Sequence, residues 1–191
     1  VAGCGEEGVC VELNRGDGTF QQTFVRQDIW DLEAAGPWDP VTLAYANAVK
    51  AMQARPLTDP TSWRYQAAIH GRNGAVPAGA IWNQCQHGSW YFLPWHRMYL
   101  LAFEAVVRKA IIDLGGPTDW TLPYWDYFND GEADLPPAFA SPDWPDGMGD
   151  NPLFVTQRYG PGDPAGTVFV PLDEVDLTAL GDPDFTGVGG G

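Results

Sequence analysis

Residues 85–104 read CQHGSWYFLPWHRMYLLAFE. Two of the chain's three histidines, His87 and His96, fall inside this stretch, and the third, His70, closes RYQAAIH just upstream. A chain of 191 residues that gathers its whole stock of imidazole in one short segment points to a metal site. Neutral imidazole suits copper, zinc, iron and nickel alike, so clustering alone leaves the metal open. The competing reading is three unrelated histidines, each satisfied by a core hydrogen bond.

Pro94 reads as the start of the longest helix, which runs to the residues before Gly115-Gly116. On it His96, Leu100, Phe103, Val107, Ile111 and Leu114 recur at alternating steps of four and three, the pattern of one apolar face. That pattern predicts His96 on the buried face at the N-terminal end. Arg97 and Glu104 fall on a neighbouring face. Glu104 and Arg108 form an i, i+4 pair there, worth about 0.3 kcal/mol on an exposed surface.

Working upstream, Asp39-Pro40 is a helix start, with a capping carboxylate followed by a proline whose missing N–H costs nothing in the first turn. The helix predicted from it continues to about Ala54 and buries Tyr45, Val49 and Met52. The same signal at Asp59-Pro60 predicts a helix through SWRYQAAIH that ends near His70. Trp63, Gln66 or Ala67, and His70 share one face of it. A shorter helix is predicted over 26–35, with Ile29 and Leu32 inward and Gly36 as its stop. A strand is predicted at 19–25. Residues 73–91 read as an ordered loop that carries Cys85 and His87, and 119–127 as a short extended segment. The Pro-, Gly- and Asp-rich stretch 129–191 reads as irregular chain wrapped over the helices, with one short helix at 172–180.

His70 at the end of one helix, His96 at the beginning of another and His87 on the loop between them can meet at one point. Three imidazoles complete a trigonal copper or a tetrahedral zinc site with one position open. The spacing is not HExxH, and no GxSxG elbow occurs, which argues against a zinc hydrolase and a serine hydrolase. A formal net charge of −15 argues against nucleic acid and anionic membrane surfaces as partners. No run of about 18 apolar residues is present, so no transmembrane helix is expected. Cys4 and Cys10 flank a glycine-rich hexapeptide that a disulfide would tie down, and that implies an oxidising, extracellular setting; two reduced surface thiols are the alternative.

The run HGSWYFLPWHRMYLLAFE resembles the first copper-site signature of the tyrosinase family, the type 3 copper proteins that include tyrosinases, catechol oxidases and haemocyanins. His87-Gly88, Phe92, Trp95-His96-Arg97 and Glu104 carry the match, SWRYQAAIH resembles the segment bearing the first ligand, and LPYWDY and NPLF resemble downstream landmarks. The resemblance implies a mainly α fold, with two ligand-bearing helices forming half of a four-helix bundle inside long irregular segments. Residues 1–191 would then be the N-terminal part of one copper-binding domain. His70, His87 and His96 would hold one copper, and a second copper with three further histidines would complete a site that binds dioxygen between the two ions. Monophenols are hydroxylated there, acting as a monooxygenase, or o-diphenols are oxidised to o-quinones. A haemocyanin-like oxygen carrier or a non-catalytic copper-binding protein is the alternative.

With no other histidine in the chain, the second triad is expected from a C-terminal segment or a second chain, and residues 1–191 alone are expected to be inactive. The abrupt GVGGG ending reads as a cut. Some fungal tyrosinases and molluscan haemocyanins carry a Cys–His thioether at the C-x-H spacing. The resemblance therefore implies a thioether between Cys85 and His87, against a free thiol or a weak copper contact. Arg97 and Glu104 are expected to pair and orient the helix beside the site, and Trp90, Phe92 and Trp95 to pack around it and exclude water.

Overall fold

The computed structural model describes residues 9–11, 24–145, 149–156 and 168–181. Among them the chain is mainly α. A two-stranded antiparallel ribbon pairs β1 (Val9–Val11) with β2 (Phe24–Arg26), Cys10 lying opposite Val25. Five helices follow: α1 (Ile29–Leu32), α2 (Pro40–Gln53), α3 (Trp63–His70), α4 (Phe92–Asp113) and α5 (Pro137–Ala140). Cys4 and residues 19–23 lie outside the described residues, so the expected disulfide and most of the expected strand at 19–25 do too.

α2 begins as its sequence dictates. The Asp39 carboxylate accepts the Val41 N–H at 2.8 Å, and Pro40 occupies the first turn. Its buried face, Tyr45, Ala46, Ala48, Val49 and Met52, packs against Val107, Ala110 and Ile111 of α4. Trp120, Ala138, Trp144 and Leu153 close the same core from the irregular segments. Full burial of each large aliphatic side chain here contributes about 1.5–3 kcal/mol. The helix predicted over 26–35 is a single turn, α1, capped by Asp28 through the Trp30 N–H. Ile29 is buried and Leu32 only partly so.

α3 starts later than Asp59-Pro60 suggests. The Asp59 carboxylate instead accepts both the N–H and the hydroxyl of Thr61, which closes a turn, and Ser62 caps the helix through the Tyr65 N–H. α4 starts two residues before Pro94, which a first-turn proline tolerates. It ends in a Schellman arrangement: Gly116 N–H returns to the Ile111 carbonyl, Gly115 N–H to Ile112, and Gly115 has φ of 81°. The apolar stripe expected along α4 is only partly buried, because Leu100 and Leu114 are exposed. The buried line runs instead through Glu104, Val107, Ala110 and Ile111.

Segment 121–126 lies beside 25–29, with Tyr124 exchanging backbone bonds with Gln27 and Ile29 and the Thr121 hydroxyl donating to the Val25 carbonyl. Of the helix expected at 172–180, the structure has a turn at 172–174 and a 3-10 turn at Thr178–Gly181.

Candidate metal centre

Three local devices bring the histidines together. His70 is the last residue of α3, where helix carbonyls lack intrahelical partners. The loop after it turns back and supplies them: Asn83 N–H donates to the Ala68 carbonyl and Gln84 N–H to Ile69, both at 2.9 Å. Trp82 packs edge-on against Tyr65, and the Asn83 side chain accepts the Arg72 N–H at 2.6 Å. The loop is thereby seated on the end of α3, and Cys85 and His87 follow immediately. Gly88, at φ of 64°, turns the chain into α4. His96 lies in the second turn of that helix.

His70, Cys85, His87 and His96 present one ligand atom each, and all four atoms lie within 4.8 Å of one another. The Nε2 atoms of His70 and His96 are 3.4 Å apart. The Cys85 sulfur stands 3.2 Å from His70 Nε2, 3.3 Å from His87 Nε2 and 3.2 Å from His96 Nε2. Nitrogens bonded tetrahedrally to one ion at about 2.0–2.1 Å are about 3.4 Å apart, and a thiolate at about 2.3 Å adds sulfur–nitrogen edges of about 3.5 Å. The Cys85 sulfur and the His70 and His96 Nε2 atoms therefore stand near the spacing that a single metal ion requires, with the His87 ligand atom within 4.8 Å of all three.

His96 Nδ1 is 2.7 Å from the Phe92 carbonyl. A carbonyl only accepts, so Nδ1 carries the hydrogen and Nε2 presents its lone pair to the site. Such an outer hydrogen bond fixes both the tautomer and the orientation of a ligand imidazole. The Phe92 ring lies 4.4 Å from the His96 ring and 5.6 Å from His87, while Trp95 lies 4.8 Å from His96 and 6.1 Å from His70. Both therefore wall the site. Trp90 does not: it stacks on Tyr91 and is exposed.

The expected Arg97–Glu104 pair is absent. Arg97 is exposed and makes no ion pair among the described residues. Glu104 is 1% exposed and lies between Arg26, at 2.7 Å, and Arg108, at 2.5 Å. Sequence reasoning missed Arg26, which reaches Glu104 from β2. It also missed Tyr99, whose ring stacks on Trp95 at 5.2 Å and whose phenol is held above its usual pKa by burial and then by the neighbouring Cys85. Tyr99 follows His96 by three residues, a helix-face signal that was readable.

The common central domain of tyrosinase matches residues 60–180, well over half of the chain. The chain belongs to the tyrosinase family. A tyrosinase from a Hahella species is 43% identical over 149 residues, which are 63% of this chain and 31% of that protein. A chloroplastic polyphenol oxidase of Malus domestica is 37% identical over 106 residues, 53% of this chain and 17% of the relative. Among solved structures, an Aspergillus oryzae pro-tyrosinase variant superimposes with a TM-score of 0.54 at 28% identity, covering 68% of this chain and 29% of that one. The matched stretch thus spans less than a third of each of these three proteins. In a family of copper proteins, the donor set formed by His70, Cys85, His87 and His96 is this chain's candidate copper centre.

Proposed function

We propose that this chain contributes one copper site to a phenol oxidase that converts monophenols or o-diphenols to o-quinones with dioxygen. The observation that carries the reading is the convergence of three Nε2 atoms, two of them 3.4 Å apart, in a chain whose relatives include tyrosinases and polyphenol oxidases. His70, His87 and His96 hold the ion through Nε2. Copper bound here, paired with a second ion, supplies the activation of dioxygen that phenol oxidation needs. All three histidines of residues 1–191 belong to this one triad, so the ligands of the second ion come from other residues, in a C-terminal segment or a second chain.

The residues of this chain do the holding and the shielding. The Phe92 carbonyl orients His96, and the Phe92 and Trp95 rings keep water from the site, with no acid–base role for the histidines. Cys85 has a second task. A thiolate together with three imidazoles would close the fourth position of the ion, as in structural metal sites. Its sulfur is 3.7 Å from Nδ1 and 3.3 Å from Nε2 of His87, the two nitrogens that flank Cε1. Joining Sγ to Cε1 breaks one S–H and one C–H bond, and dioxygen accepts the two electrons and two protons as hydrogen peroxide. The thioether locks the His87 ring and weakens the sulfur as a donor, leaving a position open. An oxidising, extracellular setting belongs to the same reading through Cys4 and Cys10.

The test is copper loading of the full protein followed by catechol and L-tyrosine in air. Quinone colour that disappears on His96→Ala supports the reading. Reversible oxygen binding with no quinone makes the protein a carrier of the haemocyanin kind. Intact mass after loading decides the thioether, which requires the loss of two hydrogens and is absent from Cys85→Ser.

A further inference from the structure

The three imidazoles work as one site only while α3 and α4 keep their relative register. The buried residues of the two helices fall in different apolar clusters: α4 packs on α2, whereas Tyr65 and Ala68 of α3 pack with Trp82, and α3 reaches the first cluster only through the partly buried Trp63. Their direct ring contacts are Trp63 against Phe103 and the aromatic neighbours of His70, none of which is directional enough to fix a register to a fraction of an ångström. Apart from the 3.4 Å approach of the two ligand nitrogens themselves, among the described residues one hydrogen bond joins α3 to α4: the Tyr99 hydroxyl donates to the Gln66 carbonyl at 2.7 Å.

Both ends of that bond are placed by the ligands. Tyr99 is three residues past His96 and Gln66 is four before His70, so each lies one helical turn from a ligand and on its face. Neither end is free to drift. Gln66 is buried, and its side-chain amide donates to the Pro60 carbonyl at 2.7 Å. The Tyr99 ring is sandwiched beside Trp95, at 17° to it, and lies 6.1 Å from the His70 ring. A helical carbonyl keeps a second lone pair for such a bond, so the link costs α3 nothing.

We propose that Tyr99 is a positioning residue for the copper centre: its hydroxyl, bonded to the Gln66 carbonyl, sets the separation of His70 and His96. It touches neither metal nor substrate. The inference rests on the copper reading above and goes beyond it, because it assigns the site's precision to one hydroxyl. Groups that orient metal ligands typically cost tenfold or more in affinity when removed.

The experiment titrates the copper-free full protein with Cu+ against a competing chelator, in the wild type, Tyr99→Phe and a form carrying 3-fluorotyrosine at position 99. Phenylalanine keeps the ring stack and removes the hydroxyl, and should weaken copper binding about tenfold while the melting temperature of the copper-free protein changes little. Fluorotyrosine keeps the hydroxyl and should retain wild-type affinity. Affinity of Tyr99→Phe within about twofold of wild type overturns the proposal. So does a Tyr99→Phe protein that is unfolded without copper, since Tyr99 would then support the fold rather than the site. A wild type that binds no copper, or binds it equally well after His96→Ala, overturns the copper reading itself. That arm separates the two failures.

Discussion

Glu104 is the side chain whose place in the molecule differs most from its place in the sequence. Its i, i+4 spacing to Arg108 reads as a surface pair worth a few tenths of a kcal/mol. In the structure it is buried, accepts from Arg26 and Arg108, and takes the Leu122 N–H at 3.4 Å. Arg108 in turn donates to the Trp120 carbonyl at 2.6 Å and lies 4.4 Å from the centre of the Phe24 ring. One carboxylate thus ties α4 to β2 and to the segment that follows the helix. Removing it leaves two guanidinium groups facing each other without a counter-charge. Glu104→Ala should therefore lose about 3 kcal/mol in urea-induced unfolding, the scale measured for a broken buried pair. Glu104→Gln, which keeps hydrogen-bond acceptance, should lose less. An alanine variant within about 0.5 kcal/mol of wild type would show that the triad contributes no net stability. The partner that matters, Arg26, is 78 positions away, and no local spacing announces it. His70, His87 and His96 were legible for the opposite reason: they are few and close together in the chain.

At the scale of elements, legibility followed the caps. Asp39-Pro40 opens α2 because the Asp39 carboxylate accepts the Val41 N–H of the first turn. Asp59-Pro60 carries the same signal, but Thr61 takes the carboxylate and Ser62 does the capping, so α3 begins at Trp63. The one-turn α1 was overestimated because its C-cap, Glu33, turns inward rather than continuing the helix. Glu33 is buried and accepts the Ala138 N–H at 3.0 Å, which joins the end of α1 to α5. Burial raises its pKa from 4.5 to about 7; the Asp39 charge adds to the rise, while the Ala138 N–H and Thr42 oppose it. The folded protein therefore binds this proton more tightly than the unfolded chain does. The stabilisation is complete below about pH 4.5 and is lost as pH climbs towards about 7, where the folded state begins to bury a charge. Glu33→Gln should flatten the fall in unfolding free energy over that window, by at most about 3 kcal/mol. An unchanged pH profile in the variant would assign that slope to other groups.

For the whole molecule, the question is what the outer face of α4 is for. The second apolar half of its N-terminal turns faces solvent: Leu93 is 63% exposed, Met98 62%, and Leu100, Tyr91 and Trp90 are exposed as well. These residues lie within six positions of His96 in the chain, and exposed apolar surface gathered on one stretch is the kind that marks an interaction site. Sequence periodicity could not separate this face from the buried one, since Leu100 and Val107 belong to one stripe and only one of them is covered. On the function proposed above, a second set of copper ligands approaches the first, and we propose that this exposed stretch is the surface it meets. A protein of residues 1–191 alone should therefore bind about one copper per chain, form no quinone from catechol, and associate with rising concentration in sedimentation velocity. Leu93→Glu combined with Met98→Lys should render that protein monomeric while leaving its copper stoichiometry intact, since both side chains are largely exposed and neither belongs to the ligand group. In the full protein the same pair of substitutions should instead lower stability and catechol oxidation together, because charges would be driven into a covered interface. Full activity in that double variant would show that the second copper site approaches from elsewhere.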